Sequence, residues 1–344
     1  MTKSSTNLRE SDIECFYKTS TKNKNGEFNN TRENVICNII NNKIPQGYYD
    51  KNIKWENLRK GLMKWIADIK EKVFPKMVDE KIQFESKGGR NNSYDFLMKV
   101  SGNTGRNYSE KEYKIEFKYN IKNIEGAPQF SSPSNPDKFF KNEKYVEYYY
   151  DNYLGKIIDK ANKVCGSKFE MPDKAEYNTK IYNNNPDCVK ELKIKHKTNK
   201  DFNKYCNEQS KISIIEYLKK AELDTDKLSK YLYETQQDKH YMLYYKDKFI
   251  YDKHKNNDMF KIKKDKVSIE APNLICQTVS GHNLRLMLRW KNGNGIAYPA
   301  FQISRKIPKK KELIELLKSN DIEFSKKSLV EELRLLLDNN NIIY

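Results

Sequence analysis

Two strand-like runs, YDFLMKV (Tyr94–Val100) and KEYKIEFKYN (Lys111–Asn120), the second alternating apolar and polar side chains, flank the turn-rich segment SGNTGRNYSE. No other feature constrains the fold as strongly. Alternation with period two marks a strand with one buried face, and turn-forming sequence between two such runs predicts a β-hairpin with a long loop. In KIEFKYN the period puts Ile115, Phe117 and Tyr119 on one face and Glu116 and Lys118 on the other. Residues facing each other in a hairpin have numbers that add to a constant. Pairing Asp95 with Glu116 therefore centres the turn between Gly105 and Arg106, inside the Gly-rich segment. The simplest register sets two carboxylates side by side with a lysine next to them.

Phosphodiester hydrolysis calls for those groups. A divalent ion neutralises charge and activates water, and a cation beside it meets the charge that develops. Hard Mg²⁺ takes one or two carboxylates and fills its shell with water. A bland reading competes with this one. In a chain that is 33% charged, Glu-x-Lys recurs by chance, as in Glu85-Ser-Lys87, Glu112-Tyr-Lys114 and Glu191-Leu-Lys193. Glu112 and Lys114 share a strand face with Glu116 and take its place if the register slips by two. A solvated strand of alternating Glu and Lys would carry the same pattern and no chemistry.

Elsewhere the chain mixes helical and strand periods without regular alternation, which predicts an α+β fold. Residues 1–50 read as a polar, poorly ordered start followed by a short element at the apolar island Val35–Ile40. From Trp55 to about Phe84 the apolar spacing is helical, interrupted at Pro75, so two helices or a kinked one are expected. Residues 137–165 read as a Tyr- and Lys-rich helix whose tyrosines pack in the core, 166–208 as a polar, irregular insertion over the surface, and Ser210–Leu232 as one or two helices. Two more hairpins follow, one turning at Lys246-Asp247 and one at Asn292–Gly295. In the latter, Leu284, Leu286, Leu288 and Trp290 face one way and Arg285, Met287 and Arg289 the other.

The pattern of an acid opening one strand and Glu116-Phe117-Lys118 on its antiparallel neighbour resembles the PD-(D/E)xK, restriction-endonuclease-like nucleases, with Tyr94-Asp95 where the family has Pro-Asp. The resemblance spans about residues 55–165. It implies a mixed β-sheet flanked by helices and an Mg²⁺-dependent nuclease in which Mn²⁺ substitutes. Asp95, Glu116 and Lys118 would be catalytic, with the metal held by both carboxylates and the main chain of Phe117. Some members add an acid from the preceding helix, for which Glu80 and Glu85 are the candidates. Gln129 stands where a polar residue often follows the motif. The C-terminal leucines and lysines resemble a SAP-type DNA-binding helical hairpin, with Asp321 in place of the usual linker Gly. Its helices would be Lys309–Lys318 and Lys326–Asp338, and its small core Leu313, Leu316, Leu317, Leu329, Leu333 and Leu336.

The implied organisation is residues 1–50, a nuclease domain over 51–306 with insertions at about 166–235, and a helical module over 307–344. The formal charge of +18 calls for a polyanionic partner, nucleic acid first (with the nuclease resemblance, double-stranded DNA) and an anionic membrane surface second. Arg285, Arg289, Lys291, Lys309, Lys310, Lys311, Lys326 and Lys327 are the candidate contacts. A homodimer pairing two active sites fits double-strand cutting. Lys, Asn, Ile and Tyr are abundant, as in AT-rich large DNA viruses and their hosts. No run approaches the ~20 apolar residues of a membrane span. With no secretory signal, an intracellular location follows, in cytoplasm, nucleus or a viral factory. Six scattered cysteines and four histidines without metal spacing argue for reduced thiols and against a zinc enzyme. The alternative is a basic protein that binds or packages DNA without cutting it.

Overall fold

The computed structural model describes residues 8–19, 25–74, 76–88, 92–105, 107–127, 129–166, 168–183, 186–254, 257–270, 272–306, 308–325, 328–340 and 342. The chain divides into two compact units. One comprises residues 1–127 and 234–255, the other 128–233 and 256–344. These boundaries differ from a partition at residues 50 and 306.

The first unit begins with α1 (Asp12–Tyr17), α2 (Asn25–Ile40) and α3 (Gln46–Lys51). The expected short element at Val35–Ile40 is the end of α2, and the start before it is not loose where described: α1 and α2 carry apolar faces into the core, with Ile13, Phe16, Val35, Ile36 and Ile39 at most 1% exposed. In α4 (Ile53–Val73), the Asn52 side chain caps the start by accepting from the Lys54 N–H at 3.0 Å. Its Trp55, Leu58, Leu62, Trp65, Ile66 and Ile69 form one buried stripe.

The helical expectation fails beyond Pro75. Val78–Ser86 is a strand, β1, followed by β2 (Phe96–Thr104) and β3 (Asn107–Tyr119). Ile82 and Phe84, two residues apart, share a face only in a strand. Phe84 packs there against Phe96, with ring centroids 5.6 Å apart.

The β2–β3 register runs from Phe96 opposite Ile115 to Thr104 opposite Asn107, so the Asp95–Glu116 register is the one observed. The long loop is not. Most of SGNTGRNYSE is paired strand, turning after Gly105 at φ +66°; Arg106 lies outside the described residues. Gly102 is a packing residue rather than a turn residue, since a Cβ there would lie 2.9 Å from the Val78 carbonyl oxygen.

β4 (Lys239–Tyr245) joins β3 in parallel, and β5 (Lys248–Asp252) closes the five-stranded order β1-β2-β3-β4-β5. A parallel neighbour needs a long crossover, and here the chain between β3 and β4 includes residues 128–233 of the second unit. The expected turn at Lys246-Asp247 is present, with both residues at positive φ (+46° and +60°).

The second unit opens with α5 (Tyr145–Tyr149), which passes through a π-helical turn (Tyr150–Leu154) into α6 (Gly155–Cys165). Tyr145, Tyr149 and Tyr153 are buried, as core packing requires. The segment read as an irregular surface insertion is instead helical: α7 (Lys174–Lys180), α8 (Asp187–Thr198) and the start of α9 (Lys200–Leu218). Its few apolar residues fall at helical spacing, and Tyr177, Val189, Leu192, Phe202 and Cys206 are fully buried. α10 (Thr225–Gln236) follows.

The second sheet, in order β6-β7-β8-β9, is antiparallel throughout: β6 (Ile262–Glu270), β7 (Asn273–Thr278), β8 (Asn283–Lys291) and β9 (Tyr298–Arg305). The β6–β7 pair was not expected from the sequence, because β6 is mostly exposed and carries little apolar alternation. In β8, Leu284, Leu286, Leu288 and Trp290 are buried as expected. Trp290 Nε1 donates to the Tyr145 hydroxyl at 2.9 Å.

α11 (Lys310–Ser319) and α12 (Val330–Asn339) form a hairpin around Leu313, Leu317, Leu333 and Leu337. Leu316 and Leu336 are only partly buried, while Leu329 is 68% exposed, contrary to its expected core role. All six cysteines are free. Among the described residues no helix is long and apolar enough to cross a membrane.

Candidate active site

Asp95 immediately precedes β2 and is anchored on both sides. Its N–H donates to the Ile115 carbonyl at 3.0 Å, and its carbonyl accepts from the Lys87 N–H at 2.8 Å. The side chain reaches across to β3, where Oδ2 accepts from the Phe117 N–H at 2.8 Å. Its Oδ1 accepts no hydrogen bond among the described residues.

Glu116, opposite Asp95, carries an ammonium on each oxygen. Lys118 Nζ donates to Oε1 at 2.5 Å, and Lys239 Nζ, from the first residue of β4, donates to Oε2 at 3.2 Å. On the parallel partner strand, Tyr241 faces Glu116 and Leu243 faces Lys118.

Burial separates this Glu-x-Lys from its copies. The Glu116, Lys118 and Lys239 side chains are 13%, 18% and 2% exposed. Glu85 and Lys87 are both 31% exposed, and Glu112 is 53% exposed. Removing an ion from water costs several kcal/mol, and pairing rarely returns more than that. A buried cluster of acids and lysines is thus poorly explained by stability alone, whereas functional sites concentrate such groups.

The charges reshape one another. Burial first, then the Glu116 and Glu33 carboxylates, push Asp95 up to about 8. Burial also works to raise Glu116, but Lys118 and Lys239 outweigh it and hold the carboxylate below its ordinary value. Lys118 is held above its ordinary value by Glu116 and Asp95 against the pull of burial. In Lys239 burial prevails over the attraction of Glu116 and lowers the ammonium.

The acid pair suits Mg²⁺, which needs only one or two carboxylates and takes the rest of its shell from water or substrate. One Asp95 oxygen is uncommitted, and the Glu116 oxygens carry only ammonium partners, of which Lys118 keeps some exposure. Among the described residues no three His, Cys, Asp or Glu side chains form a metal-holding group. Glu85 is therefore not brought in as a third ligand. It lies on β1 rather than a helix, opposite Leu97, and its carboxylate is taken by Lys87 at 2.8 Å and Lys99 at 2.7 Å. Glu80 is likewise on β1, at the end remote from Asp95, paired with Lys70 at 2.7 Å. Phe117 brings its main-chain N–H to Asp95.

Gln129 falls in the second unit, half-buried just before Phe130. The candidate DNA-contacting residues belong to that unit too. Arg289 is exposed and donates to Gln302 Oε1 at 2.7 Å, and Arg285 is half-buried with its Nε unpartnered. Lys291 ends β8 opposite Tyr298. Lys309 and Lys311 are exposed and Lys310 partly so, at the start of α11, where Glu312 accepts from the Lys309 N–H at 2.6 Å. Lys326 and Lys327 lie outside the described residues.

Sequence reasoning missed Lys239 and Glu33. Lys239 lies 123 residues beyond Glu116, and only the parallel pairing of β3 with β4 brings them together. Glu33 belongs to α2, within the stretch read as a loose polar start, yet its charge acts on both Asp95 and Lys118.

No protein-family model matches the chain, and neither the curated proteins nor the solved structures include a significant match.

Proposed function

We propose that the chain is a metal-dependent nuclease of the PD-(D/E)xK, restriction-endonuclease-like kind that hydrolyses DNA. One observation carries the reading. Two carboxylates from adjacent antiparallel strands meet at the register where the motif would need them, in a buried cluster with Lys118 alongside.

Asp95 and Glu116 would hold Mg²⁺, which when bound supplies charge neutralisation and a more acidic water. Glu33, on a helix preceding the strands, would add its negative charge to the field at Asp95 and Lys118 without serving as a third ligand. The Phe117 N–H keeps the Asp95 carboxylate turned toward Glu116. Lys118 places a full positive charge within reach of the scissile phosphate and can orient the attacking water as a donor. The apolar neighbours Tyr241 and Leu243, both 0% exposed, keep bulk water from the cluster's β4 side and strengthen these interactions.

DNA contacts are assigned to Arg285, Arg289, Lys291, Lys309, Lys310 and Lys311. The C-terminal hairpin favours a SAP-like role, since Asp321, where that module usually has Gly, adopts φ +54°. The second reading, a basic DNA binder without catalysis, draws on the full charge pairing of Glu116.

Circular plasmid incubated with Mg²⁺ or Mn²⁺ separates them. The nuclease reading expects nicking or cutting that EDTA stops. Glu116→Gln and Lys118→Ala should each lower the rate by about 100-fold or more while salt-sensitive DNA binding persists. Metal-independent binding without cleavage would leave the second reading.

A further inference from the structure

We propose that Lys239 is a resident counter-ion that holds down the metal affinity of the Asp95–Glu116 site until an anionic substrate arrives. The proposal rests on the nuclease reading and adds a regulator to it. Both oxygens of Glu116 carry ammonium groups, and the two lysines differ in kind. Lys118 lies two residues along the same strand and remains 18% exposed, so its side chain can turn toward solvent or substrate. Lys239 comes from a different strand and is 2% exposed, and Glu116 is its one hydrogen-bonding partner among the described residues. Behind it stands the Tyr241 ring, with Nζ 6.0 Å from the centroid.

A sealed ammonium on Oε2 opposes a divalent cation twice. It occupies a ligand oxygen, and it leaves a positive charge beside the ion in surroundings too dry to screen it. A substrate phosphate brings the negative charge that offsets this surplus and supplies further oxygen ligands. Metal loading and substrate binding therefore reinforce each other, and without nucleic acid the site stays poor in metal.

The test is a Mn²⁺ titration of the full-length protein without nucleic acid, with free Mn²⁺ read by electron paramagnetic resonance. Removing the ammonium in Lys239→Met should tighten Mn²⁺ binding by about tenfold, the scale on which groups bordering a metal site act. Lys239→Gln gives the same comparison if the Met variant does not fold. Lys239→Arg keeps the charge and should bind Mn²⁺ within about twofold of the unmodified protein.

Unchanged or weaker binding in the neutral variants, with Mn²⁺ still bound by the unmodified protein and lost in Glu116→Gln, would overturn the role of Lys239 and leave the metal site standing. That role falls equally if Lys239→Arg tightens as much as Lys239→Met. Absence of Mn²⁺ binding by the unmodified protein and by both neutral variants would remove the metal site and this inference together.

Discussion

Asp95→Asn should make the metal-free protein more stable at alkaline pH, and the size of the gain should track pH in a way that only a buried, raised carboxyl produces. Asn is isosteric and its side-chain carbonyl can still accept from the Phe117 N–H, so the hydrogen bond at 2.8 Å is preserved. In the folded protein burial and the Glu116 and Glu33 charges lift Asp95 from 3.8 to about 8. Between these values the folded state holds a proton that the unfolded state has released, so stability falls as pH rises from about 4 to about 8 and levels off beyond. At about 1.4 kcal/mol per pH unit the ceiling is roughly 6 kcal/mol. Oδ1 accepts no hydrogen bond among the described residues, so water reaching the ionised form should reduce this to roughly 2–3 kcal/mol.

Urea unfolding in EDTA, run on both proteins at about pH 4.5, 6.5 and 9, gives the difference directly. The two proteins should be nearly equal at the lowest pH, with the Asn variant ahead by the full amount at the highest. Divalent metal in large excess over its weak affinity for the nucleic-acid-free site should then narrow the gap by stabilising only the unmodified protein. A difference that does not change with pH would refute the placement of Asp95 among buried like charges.

Other consequences are simpler. Lys246 takes a positive φ of +46° at the β4–β5 turn, so Lys246→Asn should raise stability by about 0.5 kcal/mol in thermal unfolding. Asp247 is better left alone, because Tyr244 donates to it at 2.9 Å. Gly295 has φ +70° and sits against the Tyr149 hydroxyl, so Gly295→Ala should cost about 2–3 kcal/mol. Tyr149→Phe removes that buried, unpartnered hydroxyl. It should be neutral or slightly stabilising alone and should recover part of the Gly295→Ala loss in the double variant; a fully additive pair would contradict the contact.

Legibility followed the strength of local pattern. Alternation in KIEFKYN and LRLMLRW placed β3 and β8 with their buried faces correct, because a strand with one apolar side leaves a period of two. The buried leucines of α11 were equally readable, whereas in α12 Leu333 was foreseen and Leu337 was missed. The errors lie where pattern is thin. β1 offers two apolar core residues after a proline and was absorbed into the preceding helix, while α7 and α8 hide a few buried residues among lysines and asparagines. β6, mostly exposed, leaves only a faint apolar imprint at Ile262 and Val267.

By itself, then, the amino-acid order determined that Asp95 and Glu116 face each other, since hairpin register depends on nearby residues and a turn between them. It could not say whether that pair would be solvated like Glu85 or Glu112, or enclosed. The fold settled this by laying β4 parallel to β3, which brings Lys239 from 123 residues away onto Glu116, and by setting α2 so that Glu33 acts on Asp95. Burial and the resulting charge coupling depend on which distant segments exclude water, and no local period encodes that.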